Sequence, residues 1–398
     1  MPINLFLIIL FLFINFWSCS NNNITGSNQQ SSNTIRFYKS FGGNRKDVGE
    51  SVYQTSDGGY IITGRTDSYG SGKTDLWIIK TNLFGMEEWS KTLGGSRDDE
   101  GYSVIQSNDG SYIVLGRTES SGNGESDIWI MKINSLGNIQ WEATFGGPYD
   151  DWGFEVQQTS DRNFILIGSI YNMNNGRDDI CLIKINPQGE QIWKKEFGGP
   201  NMDIGYSVRE TIDNGFILLG YTQSFGAGIF NILLIKTDEY GEILWEKVIT
   251  ENSMGIGNDI IQSHDGGYVI TGGTSIPGQY IDLLLLKTDE YGNKLWSKTF
   301  GSIGFDAGFA IHETIDQGII ISGVTSSQYG QSDTWLIKTN SNGTIEWSQT
   351  YGKENDNEDG LSVLQTDDHG YIITGTNSGN ISLIKTDING NIYRDNHN

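Results

Sequence analysis

Residues 55–64 read T-S-D-G-G-Y-I-I-T-G, a tight polar turn followed at once by a run of strand-forming residues. The aspartate of that turn, Asp57, returns at Asp109, Asp161, Asp213, Asp265, Asp316 and Asp368, so the chain carries seven copies. Working outward, a lysine ladder follows at Lys80, Lys132, Lys184, Lys236, Lys287, Lys338 and Lys385, in steps of 52, 52, 52, 51, 51 and 47 residues. A tryptophan ladder, Trp89, Trp141, Trp193, Trp245, Trp296 and Trp347, keeps the same step. A period of this length marks a repeat architecture, in which each unit buries its apolar faces only against its neighbours.

Within the first copy, residues 50–55, 60–66, 75–81 and 88–93 are rich in Val, Ile, Thr and aromatics and are separated by turn residues. No stretch of helix length shows a 3.6-residue apolar period. Four short strands per repeat are the pattern of a β-propeller blade, and seven copies predict an all-β, seven-bladed β-propeller. The 53 Gly against 5 Pro suit turns that use left-handed backbone rather than fixed kinks.

Ring closure is legible at the ends. Ile35 to Gly43, I-R-F-Y-K-S-F-G-G, matches the close of a repeat, E-E-W-S-K-T-L-G-G at 87–95, with Phe37 in the tryptophan place. The last repeat supplies three strands to about Thr386 and then fades beyond Tyr393 into R-D-N-H-N. The N-terminal strand is therefore expected to complete the last blade, the alternative being that Tyr393 fills that place and residues 35–41 add at an edge.

Ahead of the repeats, residues 3–17 are almost wholly apolar, short for a membrane span, and end in Trp17-Ser18-Cys19. This resembles a bacterial lipoprotein signal, which implies cleavage after residue 18 and lipidation of Cys19. An ordinary cleaved secretory signal and an uncleaved anchor are the other readings. Residues 20–34 form an uncharged Asn/Ser/Gln tract, read with Cys19 as a flexible tether that would span roughly 20 Å. The expected organisation is a signal at 1–18, a tether at 19–34 and the propeller at 35–398, outside the cytoplasm in the cell envelope and held to a bacterial membrane by its lipid.

Only Cys19 and Cys181 are present, and Cys181 stands where other copies have Trp77, Trp129 and Trp335, so it reads as an apolar filler. With 26 basic and 49 acidic residues, the formal charge of −23 leaves no basic face for nucleic acid. His264, His312, His369 and His397 occupy unrelated places, and no metal-ligand cluster, nucleophile elbow, phosphate loop or catalytic cysteine is visible, so no cofactor, metal site or catalytic residue is assigned.

The segments T-S-D-G-G-Y-I-I-T-G at 55–64 and S-D-I-W-I-M-K-I-N-S-L-G-N-I-Q-W at 126–141 resemble repeats of secreted bacterial β-propeller proteins. The resemblance covers residues 35 to about 393 and implies fold more than function. K-T-D-E-Y-G-E-I-L-W at 236–245 also resembles the tryptophan-docking motif of quinoprotein dehydrogenases and related outer-membrane assembly lipoproteins. Its turn is one residue shorter than theirs, and their rings have eight blades, so no cofactor chemistry is carried over.

A residue present in every blade is needed by every blade, whereas a binding site is used once. The tryptophan ladder is on that ground inter-blade packing, each ring contributing roughly 1.5–3 kcal/mol by burial, and the Asp57 set caps tight turns. Two further acidic sets open strands. Asp47, Asp99, Asp151, Asp203, Asp306 and Glu358, broken only by Gly255, precede a glycine in the inner strands; Asp75, Asp127, Asp179, Asp282 and Asp333, with Asn231 and Asn380, open the third strands. Both fall on the rim carrying the longer loops, as turn caps or as an acidic mouth drawing Ca²⁺ or basic partners.

The copies differ most usefully at Trp152. Of 11 tryptophans, only it and Trp17 lie outside repeated positions. Placed in the loop P-Y-D-D-W-G, it shares a rim with Tyr149, Tyr171, Arg177, Phe225, Phe230 and Tyr280, a set suited to a glycan or protein ligand, the alternative being separately packed loop aromatics. The expected function is a non-catalytic binding or scaffolding module. A polysaccharide-active enzyme using rim carboxylates and an envelope-assembly scaffold are the competing readings.

Overall fold

A computed structural model describes residues 34–392, except 175–176, 276–279, 327–330 and 354–355. The expected signal at 1–18, Cys19, most of the tether and Tyr393 lie outside the described residues. The described part contains 28 strands in seven antiparallel four-stranded sheets, and no helix long and apolar enough to cross a membrane occurs in it. In blade 1 the strands run β2 (Asp47–Gln54), β3 (Tyr60–Thr66), β4 (Asp75–Thr81) and β5 (Glu87–Leu93), from the innermost outward. The turns at 55–59 and 82–86 lie on one rim, the turn rim. The connections at 67–74 and 94–98 lie on the other, the loop-rich rim.

The second and third strands bury nearly every residue because a blade has neighbours on both faces, so they read as continuous apolar runs rather than an alternation. The core is accordingly shared between adjacent blades, as where Ile113, Leu115 and Ile130 of blade 2 pack with Phe164, Leu166 and Ile183 of blade 3. Close approach within a blade needs glycine: a Cβ on Gly64 would sit 1.9 Å from the Val48 carbonyl oxygen.

Three bonding patterns tie each blade to the next. On the outside, each ladder tryptophan covers a glycine in the next blade's turn, and the Trp89 and Trp141 indole N–H groups donate to Ser135 O and Pro187 O at 3.0 Å. At mid-height every inner strand has a bulge after its glycine, as between Gly49 and Ser51. The bulged side chain accepts the backbone N–H of the next blade: Val104 on Ser51, Val156 on Ser103, Val208 on Glu155, Ile260 on Ser207, Ile311 on Asp259 and Val52 on Ser362, at 2.9–3.4 Å. Ala310 has no oxygen to offer at the same place. Along the turn rim the last inner-strand side chain accepts an N–H from the preceding blade's turn in all seven cases. Ser56 donates to Gln106 and Asp367 closes the circle on Gln54.

Closure follows the expectation. Strand β1 (Phe37–Phe41) pairs antiparallel with β28 (Asn380–Thr386), Phe37 opposite Lys385, and completes the blade formed by β26 (Glu358–Gln365) and β27 (Tyr371–Asn377). Phe37 does the work of a ladder tryptophan, covering Gly85 of blade 1 with its ring 6.0 Å from that of Tyr60.

Candidate functional site

The inner-strand acidic set and the turn aspartates accept hydrogen bonds from the protein itself, as do Asp75, Asp127 and Asp179 of the third-strand set. Asp47, Asp99, Asp151, Asp203, Asp306 and Glu358 are fully buried and each accepts a backbone N–H from the crossover just before it, as Gly43 to Asp47 at 2.8 Å. The Ser68, Ser120 and Ser224 hydroxyls add a second bond in their blades. In the third-strand set, Asp75 accepts from Gly72 and Asp127 from Asn123. The bonded carboxylates cap the crossovers beside them, and among the described residues no group of three or more His, Cys, Asp or Glu is arranged to hold a metal ion.

The aspartate and lysine ladders, read separately from the sequence, turn out to be one device. In every blade the buried lysine reaches the turn aspartate at 2.6–3.0 Å. Burial alone would raise those carboxyls, but the ammonium, hydroxyl and backbone donors outweigh it and hold all seven below the ordinary carboxylate range. The Cys181 thiol is buried and its pKa pushed up to about 12, as suits a packing residue.

Against this repetition, blades 1 to 4 break symmetry at the loop-rich end of the channel. Trp152 is not in a loop: it is the first residue of β10 (Trp152–Gln158), paired with Ser169 and half-buried. The Arg117 guanidinium lies 4.1 Å over its ring, and Tyr102 and Phe154 stack at 6.1 and 6.2 Å. From Phe154 the aromatic chain continues to Tyr206 at 4.9 Å, Tyr221 at 5.8 Å and Phe230 at 5.1 Å. So Trp152 and Phe230 do belong to one assembly, through three rings the sequence reading had not selected. Tyr149 and Tyr171 form a separate pair at 4.4 Å, with Tyr149 exposed. Phe225 packs over Gly199, Arg177 opens β12 (Arg177–Ile185) opposite Asn172, and Tyr280 is exposed; among the described residues neither Phe225 nor Tyr280 pairs with another aromatic ring.

An ion-pair network frames this arc. Glu100 takes Arg65 at 2.7 Å and Arg117 at 2.8 Å, with the Tyr102 hydroxyl donating at 2.6 Å, while Glu50 lies 3.3 Å from Arg65. Burial opposes ionisation of Glu100, but the two guanidiniums outweigh it and keep the carboxyl below its usual range. For Glu50, burial wins over Arg65 and Asp359 adds repulsion, pushing it up to about 7. Comparing the column after each second-strand glycine, Arg65, Arg117, Ser169, Tyr221, Gly273, Val324 and Thr376, would have exposed both arginines from the sequence alone.

Below the arc, the channel widens into a cavity of about 680 Å³ reaching down to the turn rim. Glu155 and Asp259, which replace the bulge serine of other blades, both pair with Arg209 from the blade between them, Asp259 at 2.6 Å. Burial raises the Glu155 carboxyl, and it lowers the nearby His312, which Arg209 also repels.

These features define a seven-bladed β-propeller, and the comparisons agree on that class. No family model matches the chain. A curated protein, the regulatory protein FlaEY of Caulobacter vibrioides, is 25% identical over 117 residues, which cover 25% of this chain and 12% of that protein. The solved structure of BBS1N in complex with ARL6DN, soaked with lead, is similar with a TM-score of 0.51 and 10% identity, covering 89% of this chain and 97% of that one. Drosophila Plexin A in complex with Semaphorin 1b gives a TM-score of 0.51 and 8% identity, covering 88% and 87%. At such identities the likeness is one of fold.

Proposed function

We propose that this propeller is a non-catalytic binding or scaffolding module that docks a protein partner on the loop-rich rim of blades 2 to 4. The observation that carries the reading is the aromatic and arginine arc from Arg117 and Trp152 to Phe230, with Tyr149 and Tyr171 beside it, on the rim where sevenfold repetition fails. Trp and Tyr beside Arg are the side chains that dominate protein interfaces. A glycan fits less well at Trp152, since Arg117 already covers one face of its indole. The two solved propellers cited above are both in protein complexes, which supports a protein ligand by analogy of fold. Display outside the cytoplasm, with a lipid on Cys19 as anchor, completes the proposal and rests on the apolar stretch 3–17 and the polar tract behind it.

The test is cross-linking of the full chain in its native membranes, followed by identification of partners with wild type and with a Tyr149→Ala/Tyr171→Ala/Trp152→Ala variant. A defined partner lost in the variant supports the rim. Capture of the same partners by both, or turnover of a polysaccharide by the wild type, overturns it. Acyl incorporation that survives Cys19→Ala removes the anchor.

A further inference from the structure

The turns that join third to fourth strands on the turn rim are built alike. The first residue, such as Asn82, Asn134, Asp238, Asp289 or Asp387, accepts backbone N–H groups two and four residues on. The residue just before the turn glycine is left exposed, and Gln188 and Asn342 show that a polar side chain serves there. Four blades instead place Phe84, Leu136, Tyr240 or Tyr291 at that tip, each more than half exposed, and Ile388 adds a neighbouring tip in the last blade. Nothing in the turn calls for an apolar side chain. Equivalent positions of a ring lie at one height, so these tips share a plane, and Ile212 and Ile315, 81% and 72% exposed, add to it nearer the channel. The chain also enters the ring from this side. Phe37 lies opposite Lys385, whose ammonium reaches the turn aspartate Asp368, and Arg36 pairs with Asp387 at 2.8 Å, beside Ile388. Residues 1–33 therefore continue from the turn rim, and an uncharged tract of the length of 20–33 spans roughly 20 Å as a coil.

We propose that the turn rim rests on a zwitterionic phospholipid bilayer, with its apolar tips in the headgroup layer and the loop-rich rim facing away. The inference rests on the lipid anchor proposed above. A short tether holds the rim from which it leaves close to the surface that takes the lipid. Apolar tips that the ring does not bury gain by leaving water there. Tyr240 and Tyr291 join an apolar ring to a polar hydroxyl, the combination that settles at headgroup level. Anionic lipid is disfavoured by the formal charge of −23. A bilayer is also uniform, so it suits a rim whose construction repeats from blade to blade, and the unrepeated arc at the other rim is left free for a protein partner.

Full chains with Leu136→Cys or Tyr240→Cys on the turn rim, or Met173→Cys on the loop-rich rim, are purified from membranes and labelled with a polarity-sensitive fluorophore. Cys181 is buried and does not compete for the label. The proteins are reconstituted on vesicles of phosphatidylethanolamine and phosphatidylcholine with brominated acyl chains. Labels at 136 and 240 are expected to be quenched by the brominated lipid and shielded from aqueous iodide, and the label at 173 to show the reverse. Adding Phe84→Ser and Tyr291→Ser to Leu136→Cys should lower the lipid quenching at 136 by about twofold or more. Replacing phosphatidylcholine by phosphatidylglycerol should lower it as well. Protein that does not sediment with the vesicles removes the anchor and this orientation with it. Protein that sediments while positions 136 and 240 are as open to iodide as 173, or while all three are quenched alike by lipid, leaves the anchor standing and overturns the orientation alone.

Discussion

On the turn rim all seven blades do the same thing: a buried lysine meets a turn aspartate, and a glutamine or glutamate accepts from the neighbouring turn. On the loop-rich rim the acidic caps repeat, but the residues beside them do not. Arg65, Arg117, Trp152 and Tyr221 stand where other blades have Gly273, Val324 or Thr376, or Ile256 and Ala307. The two rims are made from the same repeats under the same need to close a ring. Variation confined to one of them is variation that closure does not require, and that is where a partner can be recognised.

Breaking the ring itself should give the largest effect. A chain beginning at Gly42 loses β1, leaves the edge of β28 unpaired and removes Phe37 and Phe41, a cost of at least about 4 kcal/mol. Thermal unfolding and light scattering should show aggregation or a far lower melting temperature. An unchanged melting temperature would mean that residues beyond 392 supply the closing strand.

The rims are separated most directly by two tryptophans. Trp141→Ala removes a ring that covers Gly189 and bonds Pro187, and should destabilise by about 3–5 kcal/mol. Trp152→Ala, in a half-buried site, should cost about 1–2 kcal/mol in stability and weaken a rim partner by about 2 kcal/mol or more. Equal destabilisation by both, with partner affinity untouched, would make Trp152 part of the scaffold and erase the contrast.

Removing one turn-rim pair tests whether those pairs hold the fold. Asp368→Ala leaves Lys385 with a side chain 2% exposed and its carboxylate gone, at a cost of about 2 kcal/mol, less than a fully buried pair because Asp368 is 36% exposed. Urea unfolding measures it, and a loss below about 0.5 kcal/mol would class the pair with ordinary surface bridges. Because the seven turn carboxyls lie below their unfolded values, their stabilisation is present above the unfolded carboxylate pKa and is lost as pH falls through the folded values.

Glu50, in the inner-strand bulge of blade 1, has the opposite sign. Its carboxyl is raised from 4.5 to about 7, so the folded state holds a proton that the unfolded chain releases. Stability should decline as pH rises from the unfolded value toward the folded one and then level off. Glu50→Gln is expected to gain about 1–3 kcal/mol at pH 8 and little near pH 4.5. A variant less stable than wild type at pH 8 would show that the ion pair with Arg65 outweighs the burial of Glu50.

The ring was legible in the sequence because each blade is a local unit and its needs recur at a fixed step. The ladders of Asp57, Lys80 and Trp89, and the match of residues 35–43 to 87–95, are chemical demands repeated until they cannot be missed. The site was legible only in part. Trp152 stood out as an unrepeated aromatic, yet its position in a strand, and its bond to Arg117 and Tyr102 from the previous blade, depend on contacts about 35 to 50 residues apart. Pairing of the Asp57 and Lys80 ladders was likewise hidden, because two equal periods do not say how their members face one another. Sequence by itself settled the number of blades, the strand content and the closing strand, since these follow from local patterning and repetition. Tertiary structure alone decided which unrepeated side chains meet across blades and how far burial shifts Glu50. Those outcomes arise from packing between units, which a per-residue pattern does not encode.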